Sequence, residues 1–155
     1  MSQKNKLTIV VETGKHEAIH TREFDAPRDK VFNAMFGAEA IPKWWGDGAK
    51  VEQFDAKPGG SWATSFKAAN GWDVRMFGVF HTATAPERAI RTMEFMPGKV
   101  MLETTTFEDL GGRTKMTQQQ LYQSVQDRDM VVQYGMEEGA NSSYDRLEAM
   151  LAENG

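Results

Sequence analysis

The stretch FDAPRDKVFNAMF at residues 24–36, followed by IPKWWG at residues 41–46, decides the fold of this chain. It predicts the end of a strand, a helix over residues 27–36 that begins at Pro27, and a second short helix over residues 38–45 that ends at Trp44 and Trp45. Proline suits a first helical turn because its missing N–H would have no intrahelical partner there. Helix neighbours diverge by about 100°, so we expect one tryptophan to anchor the packing and the other to line a cavity or an opening.

Patterns elsewhere predict an antiparallel sheet. An N-terminal hairpin spans residues 7–24, and glycine or proline turns separate the later predicted strands, which cover residues 51–54, 61–68, 73–83, 88–95, 100–108 and 114–122. Asn70-Gly71 gives the strongest hairpin signal among these turns. The hydrophobic period then changes, which predicts a short helix over residues 127–134 and a long helix over residues 136–152.

These elements predict an α+β fold of the helix-grip type: a curved antiparallel sheet wrapped around a long C-terminal helix, with two short helices after the first strands. Residues 1–155 are expected to form a single domain, because no linker-like stretch divides them. A curved sheet can leave space beside its helix. Gly139, Ala140 and Ser143 are small, so a cavity is expected next to the first half of that helix, near Trp44 and Trp45.

The composition argues against several classes of function. The net charge is −4, and the 18 basic residues form no cluster, which disfavours nucleic-acid binding. No apolar run approaches the roughly 20 residues that a membrane-spanning helix needs, and the N-terminus lacks a secretory apolar region. The absence of cysteine excludes disulfides, thiolate metal sites and a cysteine nucleophile, and it fits a cytoplasmic location.

The three histidines do not predict a metal site. His16 and His20 share a face of one predicted strand, but four residues of extended chain separate them by about 13 Å, too far to share a metal ion. These two residues and His81 are therefore expected at the surface or in hairpins. No cofactor-binding motif is present, because Gly111-Gly112 lies in a hairpin without a following helix.

Alternation in the last two strands gives the sharpest clue to a site. In each of these strands, alternate residues share one face. If those faces point inward, a carboxylate and two carboxamides lie among apolar side chains. The inward residues would then be Met101, Glu103, Thr105 and Phe107 on one strand and Met116, Gln118 and Gln120 on the other. Buried polar groups of this kind need each other, water or a ligand. A register slip of one residue would instead place them outside as solvated positions.

Glu103 is the one plausible general acid or base in this set. In an apolar setting the pKa of a carboxyl group rises toward neutrality, as an acid catalyst requires. Alternatively, Glu103 bonds Gln118 or an arginine and only holds the sheet in register. Arg75 and Arg91 lie inside predicted strands, where they either anchor an anionic ligand group or extend along the outer surface into solvent.

The opening stretch also carries a family resemblance. Further motifs follow it in order: Pro58-Gly59-Gly60-Ser61-Trp62, Pro86-Glu87-Arg88, Thr106-Phe107-Glu108 before Gly111-Gly112, and Gly135-Met136-Glu137-Glu138-Gly139 leading to Asp145-Arg146-Leu147. Over roughly residues 17–152 the chain resembles bacterial proteins similar to the activator of heat-shock protein 90 ATPase. This resemblance implies the START-like (SRPBCC) fold, which birch-pollen allergen and the polyketide cyclases share, and a possible link to the stress response.

The first functional hypothesis is that the chain binds a small apolar or amphipathic molecule between sheet and helix. Ten methionines support it, because methionine adapts to variable apolar ligands, although it also fills cores. The predicted ligand-binding residues are Trp44, Trp45, Trp62, Phe66, Met76, Met93, Met101, Glu103, Met116, Gln118, Gln120, Met136, Ala140 and Ser143.

Two alternatives remain open. The related polyketide cyclases imply a cyclase or isomerase that uses Glu103 for proton transfer. The activator family implies a co-chaperone that stimulates a heat-shock ATPase, although in the eukaryotic activator this domain forms only the C-terminal portion. The chain is expected to be a monomer or a homodimer, with the N-terminal hairpin as a possible edge for dimerisation.

Overall fold

The computed structural model describes residues 5–68 and 71–153. In chain order its elements are β1 (Thr8–Val10), β2 (Glu17–Phe24), α1 (Arg28–Met35), α2 (Ile41–Trp44), β3 (Asp47–Phe54), β4 (Ser61–Lys67), β5 (Asp73–Thr84), β6 (Arg88–Met96), β7 (Lys99–Asp109), β8 (Thr114–Tyr122), α3 (Val125–Gln133) and α4 (Met136–Glu153). The eight strands form one antiparallel sheet in the order β1-β2-β8-β7-β6-β5-β4-β3. The sheet is open, and the α+β helix-grip fold is confirmed.

Some predicted boundaries are wrong. β3 begins at Asp47 rather than at Val51, because register shifts interrupt its pairing with β4 and an interrupted ladder leaves no clean period of two in the sequence. The second short helix covers Ile41–Trp44, a shorter span than the predicted 38–45. β4 and β5 pair as an antiparallel hairpin, as predicted, but Asn70 lies outside the described residues.

The two short helices pack against the sheet and against each other. Phe32 of α1 meets Phe107 of β7 with their ring centroids 5.8 Å apart, at an edge-on angle. Trp44 of α2 is buried, and its indole Nε1 donates a hydrogen bond of 3.0 Å to the carbonyl oxygen of Ala34. Trp44 is thus the tryptophan that anchors the packing, while its neighbour Trp45 remains partly exposed.

The C-terminal half of α4 is held firmly against the sheet. Leu147 and Leu151 are buried there. Arg22 of β2, itself buried, donates from Nη1 to Asp145 Oδ1 at 2.9 Å, and its Nη2 lies 3.5 Å from Glu148 Oε1. Apolar burial and ion pairing therefore act together on this half of the helix.

No helix in residues 5–68 and 71–153 is long and apolar enough to cross a membrane.

Gly78 allows β5 and β6 to approach each other closely. The carbonyl oxygen of Thr92 on β6 accepts a hydrogen bond of 3.0 Å from Trp62 Nε1, and its hydroxyl accepts one of 3.0 Å from the backbone N–H of Val79. A Cβ atom at residue 78 would lie 1.9 Å from that carbonyl oxygen. Because the clash is with backbone, glycine is required at this position.

We expect Gly78→Ala to lower the free energy of unfolding by about 1–3 kcal/mol, the usual cost of forcing extra atoms into a packed site. Denaturant unfolding of the variant and the parent protein at one pH measures the difference.

Gly139→Ala is the matched control. A Cβ at residue 139 meets no atom within 4 Å, and alanine is favoured over glycine within a helix by up to about 1 kcal/mol. This variant should therefore be as stable as the parent or slightly more stable. Equal stability of Gly78→Ala and the parent would contradict the close approach described here.

Candidate functional site

The buried face of the sheet that α4 covers, called here the inner face, carries an unusual number of polar side chains. Seven hydrogen-bonding residues meet between this face and the helix, and we refer to them as the inner polar cluster: Arg91, Glu103, Thr105, Gln118, Gln120, Tyr122 and Tyr144. Tyr144 belongs to α4, and the other six belong to β6, β7 and β8. Glu103, Gln118 and Gln120 thus point inward, toward the helix.

Two residues of the cluster form an ion pair. Arg91 and Glu103 stand directly opposite each other on β6 and β7. They are 5% and 2% exposed, and Arg91 Nε donates to Glu103 Oε1 at 2.8 Å. Of the two interpretations of Glu103, this geometry favours the structural one, because an arginine already occupies its carboxylate. Of the two alternatives for the strand arginines, solvent exposure is wrong for Arg91, which is buried, but holds for Arg75, which is exposed and pairs with Glu52 on the outside.

Aromatic rings enclose the guanidinium group of Arg91. Its Cζ atom lies 4.1 Å from the ring centroid of Trp62, 5.3 Å from that of Phe36 and 5.7 Å from that of Phe80. Such cation–π contacts are favourable in a desolvated site. Arg91 Nη1 nevertheless has no hydrogen-bonding partner among the described residues, so the strongest donor of the cluster is only partly satisfied.

A directed chain of hydrogen bonds runs along β8. Tyr122 donates to Gln120 Oε1 at 2.8 Å, Gln120 Nε2 donates to Gln118 Oε1 at 3.1 Å, and Gln118 Nε2 donates to Thr105 Oγ1 at 3.1 Å. Tyr144 of α4 joins it by donating to Gln118 Oε1 at 3.2 Å. Each carboxamide uses one of its two N–H donors in this chain, so each retains one for another acceptor.

Both tyrosines of the cluster are neutral hydrogen-bond donors. Burial, and then the negative charge of Glu103, raises the pKa of Tyr122 and of Tyr144 well above its ordinary value. Neither hydroxyl group therefore ionises at physiological pH, and neither can serve there as a general base.

One end of the inner face is less completely buried than the rest. Along β8, the inward residues Met116, Gln118, Gln120 and Tyr122 are all buried. Beyond them, where β4 and β6 end and α4 begins, lie inner apolar side chains that are only partly buried: Trp45, Phe66, Met76, Phe95, Met136 and Ala140. We call this region the open end. Tyr122 connects it to the cluster, since its hydroxyl lies 3.7 Å from the sulfur of Met136.

The predicted binding residues divide between these two regions. Trp62, Met93, Met101 and Met116 are buried on the inner face beside Glu103, Gln118 and Gln120, whereas Trp45, Phe66, Met76, Met136 and Ala140 are partly exposed at the open end. Two have structural partners that were not expected. Trp44 is buried and bonds Ala34, and the Ser143 hydroxyl donates to the carbonyl oxygen of Trp45 at 2.9 Å.

Two depressions of the described structure lie beside strands β3 to β6. One, of about 390 Å³, is lined by residues that include Phe77, Val79 and Glu94. The other, of about 570 Å³, is lined by residues that include Lys50, Ser65 and the predicted binding residue Phe66. Beside the first half of α4, where a cavity is expected, the ring of Trp45 meets those of three aromatic residues at centroid distances of 5.9–6.2 Å, namely Trp44, Trp62 and Phe66.

Among the described residues, no group of three or more acidic or histidine side chains could hold a metal ion. His20 nevertheless differs from the prediction of a surface histidine. It is buried on β2, and neither ring nitrogen has a well-aligned hydrogen-bonding partner. Burial lowers the pKa of His20 to about 4. The sequence did carry a signal for this position, because His20 alternates with Ala18 and Arg22, which are also buried.

The model of the family described as Activator of Hsp90 ATPase homolog 1-like protein matches residues 25–152. The chain belongs to this family. The resemblance to the family and to its START-like superfamily, predicted from the sequence motifs, is therefore confirmed. No curated protein matches the chain significantly.

Solved structures with the same fold come from several bacteria. Protein Ms6760 from Mycobacterium smegmatis has a TM-score of 0.87 at 22% identity, over 94% of this chain and 96% of that one. A protein from Arthrobacter aurescens has a TM-score of 0.84 at 24% identity, over 94% and 91%. A protein from Staphylococcus epidermidis has a TM-score of 0.78 at 26% identity, over 94% of each chain.

His20 should make the protein less stable in mild acid. Its pKa is about 6.5 when unfolded and about 4 when folded, so between these values the unfolded state binds more protons and the free energy of unfolding falls as the pH falls. Across the window this loss amounts to about 3 kcal/mol, and it is complete below the folded-state pKa. Denaturant unfolding from pH 7.5 to pH 4 measures it.

His20→Gln removes the titrating group, so its stability should depend less steeply on pH in this window. His81→Gln is the control, because His81 is exposed. The stability of this variant should depend on pH as steeply as that of the parent protein. The paired carboxylates contribute the same pH dependence to all three proteins, so their contribution cancels when the slopes are compared. Identical slopes for His20→Gln and the parent would refute the assignment.

Proposed function

We propose that this protein binds a small amphipathic molecule between the inner face of the sheet and the N-terminal half of α4. The observation that supports this most is the incomplete hydrogen bonding of Arg91, whose Nη1 is buried without a partner. Buried polar groups are nearly always paired, because leaving one unpaired costs about 1–3 kcal/mol. A ligand that carries an oxygen atom can supply the missing acceptor.

The apolar part of such a ligand has a suitable environment at the open end. Trp45, Phe66 and Met76 line one side of it, and Phe95 and Met136 line the other. All five are only partly buried, so a ligand that covers them removes apolar surface from water. Trp45 and Phe66 also present ring faces and edges on which a flat ligand can stack.

Entry requires side chains to move, because Trp45 packs against the rings of Trp62 and Phe66 where the ligand would lie. Met93 and Met101 lie opposite each other on β6 and β7 beneath the open end. Methionine is unbranched and flexible, so these side chains can change rotamer to admit a ligand at modest cost. Ala140 of α4 also helps to admit a ligand, because its small side chain occupies little space on the side of the helix where the ligand would enter.

Binding is tested with a panel of naphthalene derivatives, monitored by tryptophan fluorescence and by isothermal titration calorimetry. We expect saturable binding to the parent protein in the micromolar range, about −8 kcal/mol. Ala140→Phe fills the open end and should weaken the affinity at least about tenfold, which corresponds to about 1.4 kcal/mol.

Ala149→Phe is the matched control, because it makes the same substitution at an exposed position of the same helix. It should bind like the parent protein. Absence of binding to the parent, or equal weakening in both variants, would count against a ligand site at the open end.

Membership of the activator family supports a second candidate function, stimulation of a heat-shock ATPase. ATP hydrolysis by a purified bacterial chaperone of the heat-shock protein 90 class should then rise when the protein is added in equimolar amount. Unchanged hydrolysis across a range of protein concentrations that saturates a binding assay would dismiss this candidate. Catalysis through Glu103 has no comparable support, because Arg91 engages its carboxylate.

A further inference from the structure

The charges that face the proposed ligand site cancel one another. Arg91 is positive and Glu103 negative, and they pair at 2.8 Å. Tyr122 and Tyr144 are neutral, since burial raises the pKa of each. His20, on the neighbouring strand, is neutral near pH 7 because burial lowers its pKa to about 4.

The remaining buried charges are compensated elsewhere. Arg22 pairs with acidic residues of α4 at the other end of the helix, namely Asp145 and Glu148. On α3, Arg128 pairs with Asp129, and Asp127 pairs with Lys99. Arg146 of α4 has no acidic partner among the described ion pairs, but its guanidinium group donates to the carbonyl oxygens of Trp44 and Trp45, on the side of the helix that faces α2. Among the described buried residues, no charge is left over on the inner face of the sheet to balance a charged ligand.

Hydrogen-bond donors, in contrast, are left over. The guanidinium group of Arg91 has five N–H donors, and one of them, on Nε, bonds Glu103. Gln118 keeps one N–H donor outside the chain along β8, whereas the side chain of Gln120 also faces His20. Their carbonyl oxygens already accept from Gln120, Tyr122 or Tyr144. The site can thus satisfy a neutral oxygen, such as that of a hydroxyl or carbonyl group.

We infer that Glu103 is an internal counterion that makes the site select uncharged polar ligands and reject carboxylates and amines. This inference rests on the proposed ligand-binding function. A charged head group would lose its hydration without meeting an opposite charge, which is costly in a buried site. Glu103 is accordingly a specificity-determining residue, because its negative charge neutralises the positive charge of Arg91, which would otherwise attract anionic ligands.

The test compares four ligands with one apolar skeleton, namely naphthol, naphthyl methyl ketone, naphthoate and naphthylmethylamine, each titrated calorimetrically at pH 7. The parent protein should bind the first two at least about tenfold more tightly than the last two. Equal affinity for naphthol and naphthoate overturns the inference while leaving the proposed function intact. Binding of none of the four overturns both.

Two variants test the role of Glu103 directly. Glu103→Gln keeps the shape of the side chain but frees the charge of Arg91, so naphthoate should gain at least about tenfold in affinity while naphthol changes little. The double variant Arg91→Gln/Glu103→Gln removes both charges and should again prefer the neutral ligands. A Glu103→Gln variant that folds without gaining affinity for naphthoate overturns the inference.

Circular dichroism establishes whether each variant folds. Glu103→Gln leaves a buried arginine without its counterion and is the variant most at risk. If it does not fold, two measurements remain. The parent protein must bind both charged ligands more weakly than the neutral ones. The double variant, whose site carries no charge, must also bind naphthoate weakly, and tight binding of naphthoate by it would overturn the inference.

Discussion

The buried pair of Arg91 and Glu103 is the interaction on which the arrangement of the inner face depends. Two charges are taken out of water here, and the cost is offset by a short hydrogen bond and by the aromatic rings around the guanidinium group. Because the two residues face each other across β6 and β7, a slip of one residue would leave one charge buried alone. The pair therefore fixes the register of the central strands, and with it the inward direction of Met93 and Met101.

The two halves of α4 have different relations to the sheet, and this difference gives the molecule its functional polarity. Toward the C-terminus, Leu147 and the ion pairs of Arg22 bind the helix tightly to β2. Toward the N-terminus, Met136 and Ala140 are only partly buried, and Ser143 donates a single hydrogen bond to the carbonyl oxygen of Trp45. Local opening requires less free energy where fewer apolar contacts are broken. A ligand is accordingly expected to enter at the N-terminal half.

The sequence predicts most of the fold because each strand carries its own alternation and its own turn residues. For β8 the alternation groups Met116, Gln118 and Gln120 on one face but leaves open whether that face points inward, and the structure shows that it is buried. The partner of Glu103 did not follow, because Arg91 becomes its neighbour only through the pairing of β6 with β7. Local pattern likewise gave no sign that Tyr144 and Tyr122 complete the cluster, since one comes from α4 and the other from the end of a strand.

The close packing of aromatic rings around Trp45 and the unmatched donor of Arg91 are consistent with each other. A hollow prepared for a ligand would cost dispersion contacts in the unbound protein, whereas methionine and aromatic side chains preserve these contacts until a ligand replaces them. A missing acceptor cannot be replaced in this way, because no apolar side chain accepts a hydrogen bond from Arg91. The unbound state is thus well packed around Trp45, but Arg91 Nη1 lacks a hydrogen-bond acceptor among the described residues. Specificity is expected to come from the polar cluster, and tolerance for different apolar skeletons from the residues of the open end.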